Sequence, residues 1–193
     1  MNCANCETLN CIKKGQNCSK YGFEVIENLS HEDKAFLTTA PTISGQKAVK
    51  DNRINELIDF AKAMDYKKLG IAFCVSTKKE ASILSTILEK HFEVTSVCCK
   101  VGGIDKCELD IPKKNPDRND PICNSVTQAK ILNDDKTDLN ILMGLCIGHD
   151  ILIQKHTEAP CTTFMVRDFQ TFHNPVGLLH SSQYFRKEKK KSK

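Results

Sequence analysis

A chain of 193 residues with 40% hydrophobic content can bury a full core, so no disulfide scaffold is needed to hold it. No N-terminal apolar segment reads as a signal peptide and no run approaches a membrane span; the expected setting is the cytoplasm, where the eleven cysteines stay reduced. The net charge of +4 is carried by the last eight residues, which hold six bases and one acid and leave −1 without them, a distribution that argues against nucleic-acid binding.

Three segments follow from composition: a cysteine-rich stretch over 1–20, an α/β body over 21–185 and a basic tail over 186–193. The tail reads as a solvated terminus, with an anionic partner as the lesser alternative. In the first stretch Cys3, Cys6, Cys11 and Cys18 are spaced C-x2-C-x4-C-x6-C with almost no apolar side chains between them. Burial cannot fold such a segment. Four soft thiolates can converge on one ion or cluster, and ligation would then supply the missing energy. The spacing matches neither the common zinc-finger pattern nor the common ferredoxin ones, so it argues for metal and leaves its identity open.

From Tyr21 to Ala40 short helical pieces are expected, with Ser30-His31-Glu32-Asp33 as a cap and first turn. Pro41 to Gly45 then reads as a break. Lys47 to Asp65 repeats Val49, Ile54, Leu57, Ile58, Ala61 and Met64 at helical spacing. Strand-like runs alternate with helices from there on, the pattern of parallel βαβ units.

The first strand, Leu69 to Val75, carries Cys74 at its carboxyl end, and the second, Glu93 to Cys99, ends in Cys98-Cys99 with opposite side-chain directions. Lys100 beside Gly102-Gly103 could hold an anionic ligand. A polar loop, Asp105 to Asp120, is long enough to cover the sheet edge. Asp120 as cap and Pro121 as first helical residue would place Cys123 in the opening turn of the next helix. The third strand runs into Gly144-Leu-Cys146-Ile-Gly148-His149-Asp150, an apolar run ending in a tight turn before a helix, and Cys161 to Val166 makes a fourth. A final amphipathic stretch would bury Val176, Leu179 and Tyr184.

These elements predict a three-layer α/β fold with a parallel four-stranded sheet in the flavodoxin-like order 2-1-3-4. Cys74 and Cys146 would flank the switch point of that sheet, where ligands bind in such folds. Cys99 and Cys123 approach the same edge. One reading makes Cys74, Cys99, Cys123 and Cys146 ligands of an iron–sulfur cluster, or of zinc, with His149 as a further ligand or its support. That reading calls for a redox role and a small-molecule or electron-transfer partner. The enzymatic alternative treats Gly144-Leu-Cys146-Ile-Gly148 as a nucleophile elbow, with Asp168 and His173 downstream as its base system. The null is also real, because free cysteine is often mere core filler.

The segments Cys98 to Gly103, Cys123-Asn124 with Gln128-Ala129, Gly144 to Asp150 and His173-Asn174-Pro175 together resemble the domain-of-unknown-function 1847 family. The N-terminal cysteine run resembles that family too. Members are usually labelled metal-binding proteins, so the resemblance implies a metal-binding α/β protein without naming a reaction. This chain has Ser125 where members often have proline, and Arg167-Asp168-Phe169 where they have Lys-Asp-Arg.

Overall fold

The computed structural model describes residues 1–47 and 52–181, and for 45–47 the backbone alone. The chain divides into two compact units, Met1–Asp51 and Asn52–Lys193. The helices after Tyr21 thus group with the cysteine-rich stretch, and the sheet begins a separate unit.

In the first unit the helices are α1 (Asn10–Lys14), α2 (Glu24–Glu27) and α3 (His31–Lys47). Ser30 caps α3 as its sequence predicts: its hydroxyl accepts the Asp33 N–H at 3.0 Å and donates to the Asp33 carboxylate at 2.7 Å. The expected break at Pro41 does not occur. Proline costs α3 one backbone donor, but the helix continues through it to Lys47. No residue of this unit with a described side chain is buried.

The second unit opens with α4 (Arg53–Ala63), whose cap Asn52 accepts the N–H groups of Ile54 and Asn55. The helix expected from Lys47 instead starts at Arg53: Lys47 closes α3, and Val49 lies outside the described residues. There follow β1 (Lys68–Phe73), α5 (Lys78–Leu88), β2 (Glu93–Cys98), α6 (Ser125–Asp134), β3 (Leu139–Met143), α7 (Ile147–His156), β4 (Cys161–Met165) and α8 (Pro175–Leu179). The four strands pair in parallel in the order β2-β1-β3-β4. This is the fold class and strand order expected from the alternation.

Strand periodicity sorts the core into two faces. Leu69, Ile71, Phe73, Leu139, Ile141 and Met143 pack with the apolar stripes of α4 and α5. Ala72, Cys74, Val97, Cys99, Leu142 and Leu145 pack on the other face with Ala129 and Leu132 of α6 and Ile153 of α7. One buried polar residue constrains the centre. Asn140 holds its Oδ1 on the Thr137 hydroxyl at 2.8 Å, and a Cβ on the paired residue, Gly70, would meet that oxygen at 2.1 Å. Only glycine fits there.

The stretch after β2 departs from its expected course. Asp105 bridges Pro121 in antiparallel fashion, Ile122 N–H donates to the Ile104 carbonyl at 2.8 Å, and Lys106 pairs with Asp120 at 2.6 Å. This pairing keeps the chain extended through Ile122, so α6 starts at Ser125 with Asn124, not Asp120, as its cap. Cys123 therefore precedes the helix instead of lying in its first turn. In α8, Val176 and Leu179 are more than half exposed, contrary to the expected buried face. Tyr184 and the basic tail lie outside the described residues.

Candidate thiol site at the sheet edge

The carboxyl ends of β1 and β2 each deliver a cysteine to the face covered by α6 and α7. Cys99 N–H donates to the Phe73 carbonyl at 2.9 Å, which carries the β1–β2 register one step past its last pair, Phe73 with Cys98. Cys99 shares the Cys74 face, and the strand alternation turns Cys98 against the Phe73 side. Gln128 of α6, fully buried, clamps both strand ends: its amide nitrogen donates to the Val97 carbonyl at 2.7 Å and to the Phe73 carbonyl at 3.3 Å. Its own Oε1 and the Ser125 hydroxyl are buried without a hydrogen-bond partner. Sequence reasoning singled out the thiols and missed this clamp, although a glutamine one turn before Leu132 and next to Ala129, on the apolar side of an amphipathic helix, is the signal for it.

Cys74 and Cys99 share one buried cluster, and Cys123 packs against it. The Cys99 sulfur accepts the Val75 N–H at 3.4 Å. Burial pushes the Cys99 thiol up to about 12; the Val75 N–H acts against that rise, and the neighbouring Cys123 and Cys74 sulfurs add to it. Burial also acts to raise Cys74, but there the Ser76 hydroxyl at 3.1 Å, the Ser76 N–H, the Cys99 thiol and the Arg167 charge outweigh it, and the net direction is down.

Cys146 reaches the site from β3. Gly144, at φ +64°, makes the turn, and a Cβ there would sit 2.6 Å from Thr77 Cγ2. Cys146 then caps α7, half-buried, and its sulfur accepts an N–H from Arg167 just beyond β4. Arg167 also lies over the Phe169 ring, 4.8 Å from its centroid, and its charge bears on Cys74 as well as on Cys146. A cation one or two residues past a strand end could have been read as a partner for thiols on the neighbouring strand.

The nucleophile-elbow residues are placed differently. The Asp168 carboxylate accepts the N–H groups of Gln170 and Thr171 and the Thr171 hydroxyl, which holds it below the usual carboxylate range and commits it to a turn. His173 Nδ1 lies 3.2 Å from the Asp168 N–H and 2.9 Å from the Val166 carbonyl. The group on Cys146 is Arg167, and a guanidinium has no lone pair with which to take a proton. Cys146 itself has ordinary extended backbone at φ −65°.

Lys100 donates its ammonium to the Pro121 carbonyl and so ties down the end of the long loop, with Gly102 and Gly103 in the turn between. His149 is half-buried in the first turn of α7. Cys3, Cys6, Cys11 and Cys18 are exposed; Cys6 contacts the Thr8 hydroxyl at 3.6 Å and Cys18 donates to the Gln16 carbonyl at 3.5 Å. Among the described residues, no three or more His, Cys, Asp or Glu side chains gather as a group able to hold a metal ion.

Residues 13–164 match the sequence family described as Protein of unknown function (DUF1847). The chain belongs to the DUF1847 family. The matched span includes Cys74, Cys99, Cys123 and Cys146 and stops short of Arg167. An uncharacterised protein of Methanocaldococcus jannaschii is similar to this DUF1847 chain at 44% identity over 189 residues, covering 97% of each. No solved structure matches. Among the described residues of this DUF1847 protein, no helix is long and apolar enough to cross a membrane.

Proposed function

We propose that this DUF1847 protein is a sulfur-ligated metalloprotein, with Cys74, Cys99 and Cys123 as donors at the sheet edge and Cys146 as a fourth, taking an iron–sulfur cluster or zinc. The observation that carries this reading is the gathering of Cys74, Cys99 and Cys123 in and against one buried cluster, from three segments far apart in sequence and set where ligands bind in open α/β sheets. Donor chemistry fits a soft ion or cluster. The arrangement is not already closed on one point, so ligation draws Cys74 and Cys123 together from either side of Cys99.

Each neighbouring group then has a task. Gln128 fixes the backbone that carries Cys74 and Cys99, and Arg167 offsets part of the negative charge that a set of thiolates brings. The buried Cys99 thiol, pushed up to about 12, loses its proton only with a cation beside it, which couples binding to proton release. A cluster supplies one-electron chemistry, whereas zinc holds the rim or polarises a ligand. Cys3, Cys6, Cys11 and Cys18 are proposed as a second sulfur site, because a unit with no buried side chain among its described residues needs another source of folding energy. A reducing compartment and an electron-transfer or small-molecule partner complete the reading.

Anaerobic purification followed by metal analysis and a visible spectrum tests it. Iron and sulfide with a broad charge-transfer band identify a cluster, and zinc without colour identifies the other case. Replacing Cys99 and Cys123 by serine is expected to remove the sheet-edge share of the metal and leave the rest. Equal metal content in that variant and the unmodified protein would overturn the assignment.

A further inference from the structure

Two thiols at the rim are also set for chemistry with each other. Cys74 and Cys99 are the next neighbours across β1 and β2 after the Phe73–Cys98 pair. Paired strands lie about 4.8 Å apart, inside the Cα separation that disulfides span, about 4.4–6.8 Å. Both side chains lie on one face, in one buried cluster. One turn holds the two: the Ser76 hydroxyl donates to Cys74 Sγ at 3.1 Å, and the Val75 N–H donates to Cys99 Sγ at 3.4 Å. Cys123 also packs against this cluster, but it arrives on the long loop and no strand register sets its spacing.

We propose that Cys74 and Cys99 form a hydroperoxide-oxidised dithiol that closes a reversible disulfide across the ends of β1 and β2. Cys74 is 8% exposed and Cys99 1%, so a small oxidant meets Cys74 first and Cys99 resolves. In the first step the Cys74 sulfur attacks the terminal oxygen of the hydroperoxide. The O–O bond breaks, the alcohol or water leaves with the thiol proton, and Cys74 becomes a sulfenic acid. In the second, the Cys99 sulfur attacks the Cys74 sulfur, the S–O bond breaks, and the hydroxyl leaves as water with the Cys99 proton. Two thiols are thereby oxidised by two electrons and one hydroperoxide is reduced. An external dithiol restores the pair by exchange. The step is independent of the metal reading, except that closure withdraws two of the sulfurs assigned there as ligands.

The test treats the full-length protein with equimolar hydrogen peroxide, both as isolated and after chelation, then blocks free thiols and maps peptides by mass spectrometry. The expected product in the chelated sample is a Cys74–Cys99 linked peptide that dithiothreitol reverses. C99S is expected to leave Cys74 as a sulfenic acid that dimedone traps, C74S to leave Cys99 a free thiol, and C123S to close the link as before. Cys99 recovered as a free thiol in the unmodified protein, or linked to Cys123, would overturn the proposal. Metal content measured on the same samples judges the metal reading separately: a link formed in a protein that never held metal refutes that reading and leaves this one standing.

Discussion

Gln128 offers the most direct probe of how the site is held. In Q128M the side chain keeps its length and loses two hydrogen bonds, those to the Val97 and Phe73 carbonyls at 2.7 and 3.3 Å. At about 0.5–1.5 kcal/mol each, the expected loss is about 1–3 kcal/mol, lessened because the variant also removes the unpartnered Oε1. Q128E keeps the shape and changes the chemistry. A neutral glutamic acid can donate to one of the two carbonyls, whereas a carboxylate donates to neither and sits fully buried against them. Burial raises the folded-state pKa of that acid above its unfolded value. Its penalty is therefore absent below the unfolded value, about 4.3, and grows as pH rises, so Q128E should match Q128M only near pH 4 or below. At pH 8 it should be less stable by a further ~2 kcal/mol or more, as expected for an uncompensated buried charge. Urea unfolding of both variants at the two pH values reads this out. A gap between them that does not change with pH would refute the placement of Gln128.

In G70A the new Cβ should drive Asn140 off Thr137, at a cost of about 2–4 kcal/mol, and N140A should relieve most of it; additive losses in the double-mutant cycle by urea unfolding would contradict the contact. R167M is expected to move the alkylation profile of Cys74 in metal-free protein to higher pH, because the guanidinium favours the ionised sulfur, while Cys99 stays unlabelled until strongly alkaline pH; an unchanged Cys74 profile would remove Arg167 from the site. Asp105 is held well below its ordinary value by the N–H groups of Cys107 and Asp120, so its stabilisation of the loop is present above the unfolded value and lost as pH falls through the folded one. D105N should hasten proteolysis within 106–120 at neutral pH and reduce its acid dependence, and equal cleavage rates would count against that role.

The sheet was legible because its strands are apolar runs set between amphipathic helices, and that alternation leaves few topologies open. The same runs placed Cys74 and Cys99 at neighbouring strand ends, where the structure has them in one buried cluster. What escaped depended on partners distant in sequence. Asp120-Pro121 carries the local signature of a helix start, but the bridge to Asp105 overrides it and hands the cap to Asn124. Lys100 near two glycines looked like an anion site until the Pro121 carbonyl took its ammonium. Pro41 looked like a stop, but a single lost donor did not end α3, which runs on to Lys47. Arg167 was visible only as a departure from a family pattern, since its partner Cys146 lies on another strand.

The parallel topology sets an order on synthesis. β1 can pair with β2 as soon as both have left the ribosome, but its other edge waits for β3, about seventy residues later in the chain. Until Leu142, Leu145 and Ile153 arrive, Cys74 and Cys99 stand on a half-covered sheet, open to whatever the surroundings deliver. Loading or oxidation of that pair is thus a question of timing as well as affinity, decided in the interval between the second strand and the third.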